Sequence, residues 1–448
     1  MSDDSKVLGV LVLARHGDRQ GFYQNPSDYT PTNTQITPLG NVQEFRLGQY
    51  LRERYFNSLS PTFISGVNST IANLNQVKVR ADAGGEGGVI ANSAMSLLQG
   101  LFPANANYTT TLANGTTIEG PLNGYQYLPI ESVEPDNDIS LEGWTKCGTF
   151  DQATKAFYQS AEFKQKADES ASFLSQLPRY LDGRPVSLEN MWNIFDFINV
   201  ENIHDSDFHN NIPATFVAQA RDLANWHEYG VFSDKELSGI GNIPFRTMIP
   251  SVVESLQSIA DESDPLKFVH VAISYKPFIS LFNMTGVAQA HPELAGIVNY
   301  AASVALEVRQ PSSGGDPVLR FNFKNGTDDV TYKTYSFFNA SGDVPLSTFV
   351  NYLNPAAINT TAQWCTECNN SKDRGCGALA LAASQAQGQA HRQRISPVGA
   401  GFLGAGLTLF VAAAMLAVLF FLGLLTFGKK GRKAQSVHSD DHSVEKAA

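Results

Sequence analysis

The stretch VLGVLVLARHGDRQ, from Val7 to Gln20, decides the fold of this 448-residue chain. Val7 to Ala14 is a continuous apolar run, the pattern of a strand buried on both faces. It delivers Arg15-His16-Gly17-Asp18-Arg19 at its carboxyl end. In open α/β sheets ligands bind where strands end at that edge. Two arginines around a histidine suit a phosphoryl anion, because each guanidinium offers paired donors to phosphate oxygens. A neutral imidazole between them can attack phosphorus and carry it as a phosphohistidine. Gly17 lets the backbone approach such a ligand closely.

Working outward, residues 20–36 are polar and turn-rich, and Thr37-Pro38 reads as an N-cap with a first-turn proline. The helix it opens carries Leu39, Val42, Phe45, Tyr50, Leu51 and Tyr55 at roughly helical spacing. Val77 to Arg80 predicts a short strand, and Ser93 to Phe102 a helix closed by Pro103. Residues 150–177, 187–200, 214–229 and 250–261 show three- and four-residue apolar spacing and predict helices. Lys267 to Ser274 is another apolar strand, with a helix over Pro277–Met284. Strands are expected again over 304–308, 319–324 and 330–337, the last two joined by a hairpin turn at Asn325-Gly326. Strands at both ends with helices between them imply one α/β core with a helical insertion.

The segments VLVLARHGDRQ, ITPLGNVQEFRLGQYLRERY and VRADAGGEGGVIANSAMSLLQGLFP together resemble the histidine acid phosphatases, branch two of the histidine phosphatase superfamily. The resemblance covers roughly residues 7–376. It implies a three-layer, phosphoglycerate mutase-like core whose sheet is mixed and mostly parallel, and phosphomonoester hydrolysis with no metal and no cofactor. Carried over, His16 is the expected nucleophile, and Arg15, Arg19 and Arg80 the expected phosphate clamp. Ser93-Ala94 and Gly100 to Pro103 match the family's second helix, with about two extra residues in the glycine-rich loop before it. Three arginines offset the negative charge that develops on phosphoryl oxygens.

One departure matters. The family has a His-Asp pair after a late strand, the Asp protonating the leaving group. Here Ser274-Tyr275 stand in that place. Loss of a general acid typically costs about 10²–10⁴-fold. Asp18, Glu86 and Tyr275 are candidate replacement acids, and Lys276 a candidate replacement cation. His204-Asp205 is a literal His-Asp dipeptide but follows no strand, and His270 reads as a buried structural histidine. Two functions follow: a phosphatase acting through phospho-His16, or a largely inactive phosphatase-like protein holding an anionic ligand or partner. A mutase-type phosphoryl transfer is a third.

Composition narrows the partners. Lys and Arg number 32 against 43 Asp and Glu, a net charge of −11. An acidic chain argues against nucleic acid, whose phosphates need basic patches. Residues 429–448 hold five Lys/Arg and three Asp/Glu, which leaves −13 to the rest. Before that tail, residues 398–428 carry no charge, longer than the roughly 20 residues that span a bilayer. Lys429, Lys430, Arg432 and Lys433 follow directly, so the positive-inside rule places the tail in the cytosol and the body in a lumen or outside. No leader pattern precedes the first strand; either a leader is missing from this chain, or the protein is tail-anchored with the opposite topology. Eight N-x-S/T sequons and four cysteines (Cys147, Cys365, Cys368, Cys376) fit a glycosylated body with two disulfides of open pairing. The expected layout is an α/β core over 1–139 and 262–376, a helical insertion over 140–261, a low-complexity tether over 377–397, a transmembrane helix over 398–428 and a basic tail.

Overall fold

The computed structural model describes residues 5–21, 34–392 and 397–422. Ten strands occur among them: β1 Ser5–Arg15, β2 Val77–Asp82, β3 Thr109–Thr111, β4 Thr117–Glu119, β5 Glu131–Val133, β6 Phe268–Ile273, β7 Ser303–Pro311, β8 Val318–Lys324, β9 Lys333–Tyr335 and β10 Val344–Pro345. Strands β3 and β4 form a small exposed hairpin. The other eight form one sheet in the order β10-β8-β7-β1-β6-β2-β5, with β9 on β8.

The apolar run of β1 sits in the middle of this sheet, and Val10 to Leu13 are fully buried. Alternate residues feed two cores. Val10, Val12 and Ala14 pack with Val79, Ala81 and Ala272 under helices α1 (Pro38–Tyr55) and α2 (Gly87–Leu101). Leu11 and Leu13 pack with Val269, Val271 and Ile273 under the helices of the insertion. Covering both faces yields three layers and explains why β1 shows no polar alternation.

The sheet is mixed, but it is not mostly parallel. Strands β1, β6, β2 and β5 run parallel. The pairings of β7 with β1, β8 with β7, β9 with β8 and β10 with β8 are antiparallel. Connection length accounts for two of these pairings: β7–β8 and β8–β9 are joined by short links, which only antiparallel neighbours permit, whereas parallel neighbours need long crossovers.

Thr37 caps α1 by accepting from the Gly40 amide at 3.1 Å, with Pro38 in the first turn. Glycine is required where the β1 loop meets this helix. A Cβ on Gly17 would lie 2.5 Å from the Gly40 carbonyl oxygen, and one on Gly40 would lie 2.1 Å from that of Asp18. Between β5 and β6 the chain is largely helical, including Gly148–Gln159, Ala161–Leu174, Met191–His204, Ala214–Phe232 and Ile249–Ala260. The periodicity over 150–177 reads as one helix, but Ser160 breaks it. Its backbone is extended, and its side chain caps the next helix through the Phe163 amide. Disulfides join Cys147 to Cys368 and Cys365 to Cys376.

The chain divides into a unit over Met1–Ala380 and a second over Leu381–Ala448. The low-complexity segment is helical over Cys376–Arg392. The uncharged stretch forms the helix Pro397–Phe421, while 423–428 and the basic tail lie outside the described residues. Among the described residues no helix is long and apolar enough to cross a membrane, so the transmembrane helix expected from sequence is not among the elements found.

Candidate functional site

Residues 15–19 leave β1 at its carboxyl end, beside the end of β6. His16 is fully buried. Its Nδ1 lies 2.8 Å from the Gly17 carbonyl oxygen. A carbonyl only accepts, so Nδ1 carries the proton and Nε2 keeps its lone pair. Burial is the largest influence on His16 and pushes its pKa below the ordinary value; Arg15 and Arg19 act in the same sense and Glu86 against it. On balance these influences favour the neutral imidazole. The Gly17 amide donates to Ser93 Oγ at 3.0 Å, which ties the loop to α2.

The two arginines of the motif are placed differently. Arg15 donates through Nη1 to the Val298 carbonyl and lies under the Tyr300 ring, 4.5 Å from its centroid. Its buried Nε has no hydrogen-bond partner among the described residues. Arg19 is fully buried and doubly paired, through Nε to Glu86 Oε1 at 2.8 Å and through Nη2 to Asp196 Oδ1 at 2.7 Å. Those carboxylates hold its charge on, against burial.

Arg80, expected in the phosphate clamp, does not join this cluster. Its Nε bonds Glu131 at 2.9 Å and its Nη2 bonds Asp138 at 2.9 Å. The register explains the separation. Arg80 is level with Val271, whereas Arg15 is level with Ile273, so Arg80 sits two residues back along the sheet. It is also two strands away, about 10 Å. A carboxylate on the adjacent β5 neutralises it there, and it lines a separate surface groove with Lys78, Glu131 and Thr247.

The candidate acids are also redistributed. Asp18 is buried, and its Oδ2 is taken up by the Thr37 hydroxyl and by His204 Nε2 at 2.8 Å. His204 thus belongs to an Asp–His pair, although its partner is Asp18 and not the neighbouring Asp205. The Tyr275 ring packs 4.6 Å from that of Trp192 and beside Arg15, but its hydroxyl donates to Glu228. Burial, and then Glu228, raise its pKa well above the ordinary value, so that proton is committed away from the site. Glu86 does reach the site, with Oε2 3.5 Å from His16 Nε2. Burial raises its pKa, but His16, Arg19 and Lys276 outweigh burial and hold it well below the usual carboxylate range. It is a fixed anion and a poor proton donor. Lys276 is buried with its Nζ over the Trp144 and Tyr275 rings, at 5.4 and 5.1 Å. Ser274 is buried, and its Oγ has no partner among the described residues. His270 is buried within β6, its pKa pushed down to about 4 by desolvation.

A cleft of about 200 Å³ opens from Arg15, lined by Gln43, Trp192, Asp196, Asn199, Arg221 and Tyr300 among others. Sequence reading missed Asp196 and Tyr300. Asp196 carried a signal, as a lone acid in the apolar run MWNIFDFINV. Tyr300 carried none, because its place depends on the chain returning after β6. Among the described residues no group of three or more His, Cys, Asp or Glu is arranged to hold a metal ion.

Residues 20–323 match the family model described as "Histidine phosphatase superfamily (branch 2)". Bovine prostatic acid phosphatase is 24% identical over 272 residues, covering 58% of this chain and 64% of that protein. Human lysosomal acid phosphatase is 26% identical over 202 residues, covering 44% and 43%. The match thus spans less than two thirds of either relative. Bovine lysosomal acid phosphatase is 23% identical over 372 residues, covering 80% of this chain and 79% of its own. Among solved structures, Citrobacter braakii phytase superposes with a TM-score of 0.55 at 13% identity, over 81% of this chain and 99% of that one. Hafnia alvei phytase in complex with myo-inositol hexakis sulphate gives 0.53 at 14%, over 82% and 99%. At such identities the likeness establishes the fold.

Proposed function

We propose, for a chain that belongs to the histidine phosphatase superfamily (branch 2), that it hydrolyses phosphomonoesters through a phosphohistidine at His16. The observation that carries this reading is the imidazole's orientation. With Nδ1–H held on the Gly17 carbonyl, Nε2 presents a lone pair to a buried space flanked by Arg15 and Arg19. Burial pushes the His16 pKa below the ordinary value, which favours the neutral form that keeps this lone pair.

In the first step Nε2 attacks phosphorus and the P–O bond to the leaving group breaks. In the second, water attacks the phosphohistidine and frees His16. Arg15 and Arg19 stabilise the charge on the phosphoryl oxygens in both steps. Lys276 is the further cation available to the phosphoryl group, replacing the distant Arg80. The phosphoryl group needs the space that Glu86 occupies, so Glu86 must swing away from its place at the head of α2, where Gly84 and Gly85 precede it and Gly87 and Gly88 open the helix.

Glu86 also favours a second reading, in which the protein holds an anionic partner and turns over little. A site that already binds its own carboxylate is built to hold anions, whether or not it reacts with them. The two readings separate with p-nitrophenyl phosphate, whose leaving group needs little acid help. Turnover by the wild type that is lost in His16→Ala, with an acid-labile phosphoenzyme, supports the phosphatase. Equal background rates leave the binding reading.

We further propose that residues 398–428 anchor the protein in a bilayer with the body lumenal or extracellular, on the support of their uncharged run and the lysines that follow. Release of the protein from membranes by alkaline carbonate would overturn the anchor, and the absence of a mobility change on endoglycosidase treatment the topology.

A further inference from the structure

The proton donor that Ser274-Tyr275 fail to supply has a counterpart one strand away. Asp82 ends β2, next to β6. Ala81, Ala272 and Ala14 are level across the three central strands, which brings Asp82 to the level of Arg15, two residues further along β2 than Arg80 and, like it, two strands from β1. Asp82 is fully buried. Its Oδ1 accepts from the Gly84 amide at 2.9 Å. Its Oδ2, equally buried, has no hydrogen-bond partner among the described residues. A buried carboxylate oxygen with no donor is costly, whereas a carboxyl O–H at that position carries no charge.

A second carboxyl group sits against the same glycine. A Cβ on Gly84 would lie 2.1 Å from Glu142 Cδ, so Glu142 reaches this position only because residue 84 is glycine. Two buried carboxyl groups at one site cannot both ionise cheaply. Burial comes first and the mutual charge second in raising Asp82 well above the usual range, and burial raises Glu142 too. The other charged groups facing Asp82 are Lys276, at the head of the helix after β6, and Glu86, at the head of α2. Lys276 opposes the rise and Glu86 supports it.

Resting on the phosphatase reading above, we infer that Asp82 is the general acid of the first step, delivering a proton from Oδ2 to the leaving oxygen, with Glu142 as the positioning residue that keeps that proton in place. As His16 Nε2 bonds to phosphorus, the electron pair of the breaking P–O bond goes to the leaving oxygen. That oxygen takes the Asp82 proton and departs as an alcohol, and Asp82 becomes a carboxylate. In the second step water bonds to phosphorus, the P–N pair returns to His16, and the water proton returns to Asp82. The assignment also gives Glu86 a place in the cycle. It leaves the phosphoryl space as substrate enters, and the proton remains on the neighbouring, neutral carboxyl.

The test is a leaving-group comparison on kcat/KM, which reports phosphoryl transfer to His16 whatever limits turnover. Asp82→Asn is compared with wild type on an alkyl phosphate and on p-nitrophenyl phosphate. The expected result is a fall of about 10²–10⁴-fold on the alkyl ester and less than about tenfold on the aryl ester. Equal losses on both substrates, or none on either, overturn the assignment while leaving the phosphatase reading intact. A wild type inactive on the aryl ester rejects that reading, and the assignment falls with it. Should Asp82→Asn fail to fold, the wild-type pH profile decides. The alkyl ester must show a loss of kcat/KM with rising pH that the aryl ester lacks, and Glu142→Gln must move that loss to lower pH. Superimposable profiles overturn the assignment.

Discussion

Glu86 Oε2 lies 3.5 Å from His16 Nε2 while Glu86 Oε1 holds Arg19 Nε at 2.8 Å. A carboxylate thus stands where a phosphoryl group would meet its nucleophile and its arginine. An incoming phosphate competes with an anion that is already bound and already desolvated.

Removing that anion should strengthen binding. A charge-assisted hydrogen bond is worth about 1.5–3 kcal/mol, or roughly 10- to 100-fold in affinity. Glu86→Ala is expected to tighten inorganic phosphate by that factor, read by calorimetry or as a product-inhibition constant. Unchanged affinity would mean that phosphate binds without displacing Glu86.

Asp82 should cost stability as pH rises. Its folded pKa lies above the unfolded value of about 3.9. The folded state therefore binds more protons, and the penalty appears above the unfolded pKa and grows towards the folded one. Asp82→Asn removes the charge and keeps the acceptor for the Gly84 amide. Its melting temperature should exceed the wild type's at pH 7, by a margin that closes near pH 4. A constant margin would show that Asp82 does not titrate differently on folding.

The arginines should separate by geometry. Arg80 is paired with Glu131 and Asp138, away from His16. Arg80→Ala is expected to leave kcat/KM within about threefold of wild type, against a loss of roughly 10²–10³-fold for Arg19→Ala. Comparable losses in the two variants would place Arg80 back at the phosphate.

The Cys147–Cys368 bridge closes a separation of 221 residues. In the loop-closure description a 100-residue loop already contributes about 4.7 kcal/mol. The paired Cys147→Ser and Cys368→Ser substitutions should lower the unfolding free energy by about 4–5 kcal/mol in denaturant titration. A change under about 1 kcal/mol would show that buried Trp364, whose indole donates to the Gly143 carbonyl at 2.7 Å, holds this region without the bridge.

Much of the fold was legible because its signals are local. The β1 run, the Thr37-Pro38 cap and the apolar strand over 268–273 each declare themselves within a few residues. The proportion of parallel strands was not legible, because it depends on where β7 to β10 return along the sheet. At the site, the pairing of Arg80 was not legible for a similar reason. The strand carrying it was found, but the carboxylates that claim its side chain lie 51 and 58 positions later.

By itself, then, the sequence determined a buried strand that ends in Arg15-His16-Gly17-Asp18-Arg19, a capped helix behind it, and so a cradle that sets His16 between two arginines. Short-range sterics and hydrogen bonding are enough for that, since Gly17 must meet Gly40 and the Gly17 carbonyl must orient the imidazole. The tertiary structure alone decided which charges share the cradle. It brought Glu86 onto His16, Asp196 onto Arg19 and Glu142 beside Asp82, and it turned the Tyr275 hydroxyl towards Glu228. Buried charges must find partners or lose their charge, and those partners are chosen by which chain segments the sheet brings together.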